Sequence, residues 1–336
     1  MRTRRFLAFS LTGVMIMIVA AGCGSRDSAA LTAAAPKPEE PDVTVAAIPA
    51  VDLAGLYIAQ DRGLFAQQGL HVTIVPVPSA QSIITDQVAG KIDVSAGSYV
   101  AYIAAQTAGA RFRILAEAST LSPDTRALVV TGNSQITNVA QLAGRRIGVN
   151  GVNSIGTLLV SALLAAHGIS PSRVRFVTDP DGFPAMPGQL QRGAWGAAFL
   201  AEPYITAAGQ QYGQQVLADL DQGAVLNLPV DGYVATQAWA RAHPATAAAF
   251  TRAIEQGQAI ANGDASTVQA TMARDDKLPS EVTASMSLPR YPVGPVVEAE
   301  IQRVARAMGQ AGILGGDDAT EAGQRALVKS MTSPDS

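Results

Sequence analysis

The loop from Asn150 to Gly156 carries the residues best suited to hold a small polar molecule. It reads Asn-Gly-Val-Asn-Ser-Ile-Gly and directly follows a strand-like run at 144–149. A helical stretch begins at its end, so free N–H groups of the first turn would lie beside the Asn153 and Ser154 side chains. This pattern predicts one half of a binding site. A turn that needs glycine for backbone reasons alone is the alternative.

The loop after the first predicted strand, at 49–54, supplies Asp52 and Leu53. Both are candidates because open α/β sheets bind ligands at the carboxyl ends of their strands. In a site that excludes water, the Asp52 carboxylate would repel an anion and favour an amine or a ring N–H. Asp52 could instead point to solvent or cap the helix that begins near Ala54.

Ser98 and Tyr99 follow a third strand-like run, so we expect them at the carboxyl edge of the same sheet. Ser98 stands at the N-cap position of a predicted helix, 98–107. The exposed N–H groups of a helix start favour an anionic or hydrogen-bond-accepting group. The alternative is that Ser98 only caps its own helix.

Three more candidates come from later strand ends. Phe183 lies in the loop 179–184, and Thr120 follows the predicted strand 112–118. Glu202 comes just after a buried-looking strand and before a proline that can begin a helix. Glu202 could accept a hydrogen bond from a ligand N–H or cap its own helix.

Motifs for nucleotide, metal or nucleophile chemistry are missing from the sequence. No Gly-Lys-Ser/Thr follows the loop at 150–156, and its glycines do not have the spacing of a dinucleotide site. His-Glu-x-x-His and Gly-x-Ser-x-Gly are also absent, and the three histidines are scattered. We therefore expect no catalytic residue, no metal and no cofactor.

Strand-like and helical stretches alternate with short turns through the 295 residues after position 41. This alternation predicts an α/β fold with mostly parallel, doubly wound sheets, and the length suits two lobes. We assign 42–131 to the first part of lobe 1, 132–230 to lobe 2, and 231–336 to the second part of lobe 1 with a helical tail. The crossovers between lobes are predicted at 131–134 and 229–233.

The amino terminus has the pattern of an export signal. Three arginines, at positions 2, 4 and 5, precede an apolar run at 6–21 that ends in Ala-Ala-Gly-Cys23. Cys23, the single cysteine, stands where a bacterial lipobox has its lipidated residue; an incidental thiol in a discarded leader is the alternative. Residues 24–41 are small, polar and proline-bearing, which predicts a flexible tether.

The charge balance argues against nucleic acid as a partner. The formal net charge of −3 becomes −6 without the three leader arginines, and aromatic residues make up 5% of the chain. A basic surface or an aromatic stacking platform for bases is not expected.

Two segments resemble a known family. Tyr57 to Val72 reads Tyr-Ile-Ala-x-x-x-Gly-Leu-Phe-x-x-x-Gly-Leu-x-Val, and Leu142 to Val149 reads Leu-x-Gly-x-x-Ile-Gly-Val. Both resemble the type II periplasmic substrate-binding proteins of ABC importers for nitrate, sulfonates, taurine and thiamine precursors. The resemblance implies two lobes joined by two crossovers that close on a small molecule. It also implies a monomer, a permease and an ATPase as partners, and an extracytoplasmic place on a bacterial membrane through lipid on Cys23.

Some relatives in that family are enzymes, which leaves a second function open. They make the thiamine pyrimidine from their own side chains and a bound pyridoxal phosphate, with a reactive histidine and a Schiff-base lysine. The lysines after the leader are Lys37, Lys91, Lys277 and Lys329, in tether, turn and tail contexts. We therefore predict a binding protein, with an enzyme or ligand sensor that uses the same cleft as the alternative. The sequence leaves the ligand open.

Overall fold

A computed structural model describes residues 36–77, 79–275 and 278–333. The described strands are β1 (Asp42–Ala47), β2 (His71–Pro76), β3 (Val94–Ser98), β4 (Phe112–Thr120), β5 (Arg126–Val130), β6 (Arg146–Val149), β7 (Arg175–Thr178), β8 (Ala197–Ala201), β9 (Gln215–Asp219) and β10 (Pro229–Thr236). The described helices are α1 (Ala54–Asp61), α2 (Leu64–Gln67), α3 (Ala80–Val88), α4 (Tyr99–Thr107), α5 (Ile155–Ala166), α6 (Met186–Gln191), α7 (Tyr204–Tyr212), α8 (Gln237–Ala242), α9 (Pro244–Gly263), α10 (Ala265–Asp275), α11 (Ser280–Ser285), α12 (Glu298–Gln310) and α13 (Glu321–Thr332).

The described strands form two five-stranded sheets, one in each lobe. Their orders are β2-β1-β3-β10-β4 and β7-β6-β8-β5-β9. The predicted α/β fold with two lobes and a helical tail is confirmed. Each sheet is mixed, however, because β10 runs antiparallel to β3 and β4, and β5 runs antiparallel to β8 and β9.

The predicted lobe boundaries need correction at both crossovers. β5 pairs with β8 and β9, so residues 126–130 belong to the second lobe and the chain crosses over at 121–125. The return crossover lies at 220–228, because β10 joins the first sheet from Pro229 onward. The four residues after Arg126 in β5 are apolar and suit a buried strand of either sheet, so they could not reveal its pairing partner.

The predicted tether also ends earlier than position 41. The Glu39 carboxylate accepts hydrogen bonds from the backbone N–H groups of Ala245 and Thr246, at 3.0 and 2.9 Å, in the first turn of α9. Glu40 accepts one from the Trp239 indole at 2.8 Å. A carboxylate is stabilised by the free N–H groups of a helix start. Burial raises the pKa of Glu39, but these hydrogen bonds prevail and bring it to about 2.

A close helix contact supports the loop that follows β1. Helix α1, which continues this loop, crosses α9 where Gly55 and Gly257 meet, and a Cβ atom on Gly257 would lie 2.2 Å from the Gly55 carbonyl oxygen. Gln258 next to this crossing donates hydrogen bonds to the carbonyls of Glu117 and Ala118, at 2.7 and 3.0 Å. Glycine is required because any side chain would push the two helices apart.

The helices of the tail contact both lobes. In the first lobe, α12 contacts α4 and β10, and α13 contacts α4 and β4; in the second lobe, α12 contacts α5 and α11 contacts α7. The predicted helix at 293–311 begins later, at Glu298, and α13 was not predicted from the sequence. Within the described residues, no helix has the length and apolar character needed to cross a membrane.

Candidate ligand-binding cleft

Loops from both lobes meet between the two sheets and enclose an inner cavity. The first lobe contributes the loop after β1 and the end of β3, and the second contributes the loop after β6 and Phe183. The polar and charged residues that line it are Ser98, Arg126, Asn150, Ser154 and Asp231. Its volume of about 30 Å³ leaves room for about two water molecules. The lobes must therefore separate before an organic ligand can enter.

A wider groove of about 860 Å³ leads from the inner cavity to the surface. Helices α3 and α4 form one wall, and the loop 150–154 with Thr178 forms the other. The groove shares Ala80, Asn150 and Ser154 with the inner cavity, so the two form one cleft. None of the described residues that line the groove is charged.

The helices α4 and α5 both begin at the inner cavity. The Ser98 hydroxyl accepts a hydrogen bond from the Val100 N–H at 3.2 Å, which caps α4. At the start of α5, the Ser154 N–H donates to the Thr157 hydroxyl at 3.0 Å, and the Ser154 hydroxyl donates to the Gly151 carbonyl at 2.6 Å. Both serines therefore line the cavity and also complete the hydrogen bonding of their own helices.

Beneath the inner cavity, an arginine of the second lobe lies between two carboxylates of the first. Arg126 Nη2 is 2.7 Å from Asp52 Oδ2 and 3.6 Å from Asp231 Oδ2. The Ser119 hydroxyl donates to Asp52 Oδ1 at 2.7 Å, and Arg126 Nη1 donates to the Thr125 carbonyl at 3.0 Å. The Arg126 and Asp52 side chains are 3% and 1% exposed, so water hardly screens this pair.

The strands explain how these charges come together. Arg126 begins β5 directly after the first crossover, and Asp231 lies in β10 directly after the second. In the first sheet, Asp231 pairs with Ser98 of β3 and Ser119 of β4. Burial raises the pKa of Asp231 to about 7; the charge of Asp52 adds to the rise and Arg126 opposes it.

The expectation that Asp52 faces the ligand is wrong. Asp52 lies in a short 3-10 helix, Val51–Leu53, and its side chain neither points to solvent nor caps α1. It pairs with Arg126, which the sequence pattern did not indicate because the two residues are distant along the chain. A buried carboxylate needs such a partner to remain charged.

The other predicted residues separate into two groups. Leu53, Ser98, Asn150, Ser154 and Phe183 line the inner cavity, and Asn153 lines the outer groove with Asn150 and Ser154. Phe183 is held by ring contacts with Phe199 and Tyr204, with centroids 5.8 and 6.0 Å apart.

Tyr99, Thr120 and Glu202 do not line either part of the cleft. The Tyr99 ring is fully buried against Gly232 of β10. The Thr120 N–H donates to the Arg290 carbonyl at 3.0 Å. The Glu202 carboxylate accepts from the N–H and the hydroxyl of Thr206, at 3.1 and 2.8 Å, so it caps α7.

Sequence reasoning missed Arg126 and Asp231, the charged residues of the inner cavity. Each had a visible signal, because each is a charged residue beside apolar residues of a buried strand: Arg126 in Arg-Ala-Leu-Val-Val and Asp231 in Val-Asp-Gly-Tyr-Val. Charged side chains are rarely buried without a partner or a role. Both residues therefore belonged among the candidates.

Two lobes joined by two crossovers around a cleft define the periplasmic binding protein fold. The NMT1/THI5-like family model matches residues 50–265, so the chain belongs to this family. No curated protein sequence matches the chain.

Solved structures with the same fold share little sequence with this chain. The alkanesulfonate-binding protein SsuA from Xanthomonas axonopodis pv. citri, bound to MOPS, has 19% identity and a TM-score of 0.72, with 83% of this chain and 96% of that chain covered. The periplasmic nitrate-binding protein NrtA from Synechocystis PCC 6803 has 15% identity and a TM-score of 0.76, with 88% and 87% covered. The desulfurization enzyme DSZB also has this fold, at 15% identity, a TM-score of 0.60, and 81% and 93% coverage.

Proposed function

We propose that this chain is the extracytoplasmic solute-binding component of an ABC importer, which closes its lobes on a small organic molecule and delivers it to a permease. One observation carries the proposal: strand ends of both sheets enclose a cavity that shares lining residues with an open groove. A ligand in this cavity touches both lobes, so it favours the closed arrangement over the open one. Sulfonate- and nitrate-binding proteins of the same fold support this function.

The crossovers at 121–125 and 220–228 are the proposed hinges. They are the connections that link the two sheets, and Arg126 and Asp231 lie just beyond them. A rotation about these segments would widen the inner cavity and leave each sheet intact.

The residues of the cleft favour binding over catalysis. The described lining residues of cavity and groove include no lysine, histidine or cysteine, so a Schiff base or an activated thiol has no residue there. Ser98 and Ser154 are occupied in helix-end hydrogen bonds. The enzyme alternative, which the fold of DSZB keeps open, gains no support from this lining.

The membrane attachment is part of the proposal and lies outside the described residues. Lipid on Cys23 would hold the protein at the membrane through a tether that ends where Glu39 and Glu40 bind α8 and α9. Growth of the bacterium with an alkyne-labelled fatty acid tests this: the wild-type chain should carry the label and Cys23→Ser should not. Labelling that persists in Cys23→Ser would refute the lipobox. A monomer is expected in solution.

A distance measurement across the groove tests the function. Val88 of α3 and Val152 of the loop 150–154 are 60% and 69% exposed and lie on opposite walls. Spin labels on Val88→Cys and Val152→Cys, in a chain with Cys23→Ser, should move closer when a compound raises the melting temperature. The control pair Val88→Cys and Gln81→Cys lies within α3 and should not change. A bound compound that leaves the first distance unchanged would overturn lobe closure.

A further inference from the structure

The Asp231 carboxylate is an unsatisfied charged group at the floor of the inner cavity. Its side chain is 13% exposed, and it lines the cavity directly. Its one charged partner among the described residues is Arg126, at 3.6 Å, and those residues give its carboxylate no hydrogen bond. A carboxylate that is largely shielded from water normally accepts several hydrogen bonds. Asp231 therefore has acceptor capacity that a ligand can use.

Arg126 also lines the cavity, but its guanidinium is already paired with a buried carboxylate. Its guanidinium pairs with Asp52 at 2.7 Å and donates to the Thr125 carbonyl. Its Nε lacks a hydrogen-bond partner in the described part of the chain, but this atom is buried. The positive charge at this floor is thus already used by the buried Asp52.

The charge balance of the cleft follows from these contacts. Two carboxylates, Asp52 and Asp231, share the single guanidinium of Arg126. No other described residue that lines the inner cavity or the groove is charged. With both carboxylates ionised, the floor carries a net charge of −1, and the apolar walls formed by Leu53, Ile155 and Phe183 do little to screen it.

We propose that the cleft selects a ligand with an ammonium, amidinium or ring N–H group, that this group donates to Asp231, and that a ligand whose only charge is a sulfonate or a nitrate binds poorly. The proposal rests on the solute-binding function above and specifies its ligand class. The N–H groups at the starts of α4 and α5, which lie at the same cavity, can donate hydrogen bonds to a neutral polar or anionic second group of such a ligand.

The protonation of Asp231 gives the proposal a pH signature. The charged groups that face it are Asp52 and Arg126. The other titratable groups near it are the buried phenols of Tyr99, Tyr102 and Tyr233. Burial raises the pKa of all three phenols, so they stay neutral where Asp231 titrates. Burial also raises the pKa of Asp231 to about 7, so its carboxylate gains charge as the pH rises through neutrality. An N–H ligand should therefore bind more tightly above about pH 7, and an anion should bind more tightly below it.

A pair of probes that differ by one ammonium group tests the selection. Ethanesulfonate and 2-aminoethanesulfonate share the sulfonate, and 4-aminopyrimidine provides N–H donors without a sulfonate. Binding to the full-length chain is measured by calorimetry and thermal shift. We expect 2-aminoethanesulfonate to bind at least about tenfold more tightly than ethanesulfonate, which is about 1.4 kcal/mol, with the advantage growing from about pH 6 to about pH 8.

The variant Asp231→Asn should abolish this preference and its pH dependence, because the amide keeps the shape of the side chain without its charge. It should not lower the melting temperature of the free protein at neutral pH, since it removes repulsion from Asp52. Asp93→Asn is the matched control: Asp93 is a half-buried carboxylate of the first lobe just before β3, and it contacts neither part of the cleft. A preference that survives in Asp231→Asn would overturn the role of Asp231.

Other outcomes separate this inference from the proposed function. Ethanesulfonate that binds as tightly as its amino analogue and draws the labels at positions 88 and 152 together would refute the ligand class and leave the solute-binding function standing. Binding of 2-aminoethanesulfonate without lobe closure would count against the function instead. Failure of both N–H probes to bind would contradict the ligand class.

Discussion

The two walls of the cleft are built differently. In the first lobe, the loop after β1 is packed: Asp52 is paired with Arg126, and the Tyr291 hydroxyl donates to the Val51 carbonyl at 2.9 Å. In the second lobe, the loop after β6 lies open, with Val152 69% exposed and Asn153 in the left-handed region at a φ of 54°. Asparagine tolerates this conformation better than most residues.

This difference indicates that the two walls have different roles in ligand binding. The first lobe supplies the two carboxylates of a preorganised floor that Arg126 of the second lobe completes, and the loop 150–154 of the second lobe supplies neutral amide and hydroxyl groups. Groups that are held before binding cost little to order, whereas an open loop can adjust to the outline of a ligand. We expect the floor to determine which charge is accepted and the loop to determine shape.

The largest effect is expected at the contact between the lobes. Arg126→Met should lower the free energy of unfolding by about 3–5 kcal/mol, because it leaves Asp52 and Asp231 buried without a counter-charge. Urea denaturation measures this loss, and Arg145→Met is the control because Arg145 is exposed in the second lobe. A loss no greater than that of the control would show that the pair contributes little to the floor.

The rigidity of the first wall can be tested through the helices behind it. Gly257→Ala should cost about 1–3 kcal/mol, since the new methyl group would meet the Gly55 carbonyl oxygen at 2.2 Å. Gly263→Ala in the same helix has open space around it and should be neutral or stabilising. Thermal unfolding compares the two variants, and an equal effect would mean that α1 and α9 shift apart easily.

The second wall should respond more weakly. Ser154→Ala removes the hydrogen bond to the Gly151 carbonyl and should destabilise the protein by about 1 kcal/mol. Amide hydrogen exchange should show a faster loop 150–154 and an unchanged loop 49–54. Faster exchange in both loops would contradict the independence of the two walls.

The smallest effect is expected at the exposed edge of the first lobe, where the chain enters it. The pKa of Glu39 is lowered to about 2, so its contribution to stability is present above its ordinary value of 4.5 and is lost as the pH falls toward 2. Glu39→Gln should therefore lower the melting temperature slightly at neutral pH and not at all near about pH 2. A deficit that stays constant with pH would show that the charge of Glu39 is not involved.

Local patterns predicted most of the frame and about half of the site. The strand, loop and helix from Asp42 to Asp61 follow from a change in apolar spacing, and the loop after β6 follows from amides and glycine before a helix. Leu53, Ser98, Asn150, Ser154 and Phe183 line the inner cavity because strand ends of the two sheets face each other there. The charge of the floor was misjudged, because Asp52 was considered without its partner.

The sequence by itself determined the order of the strands and of most helices, the family, and the loops that face the cleft, because these depend on residues close together in the chain. The tertiary structure decided that β5 joins the second sheet and that Arg126 neutralises Asp52 while Asp231 remains available. The physical reason is that strand pairing and charge pairing depend on distances in space between residues that are far apart in sequence. The sequence does not distinguish a carboxylate that is paired in space with a guanidinium from a carboxylate that has no such partner.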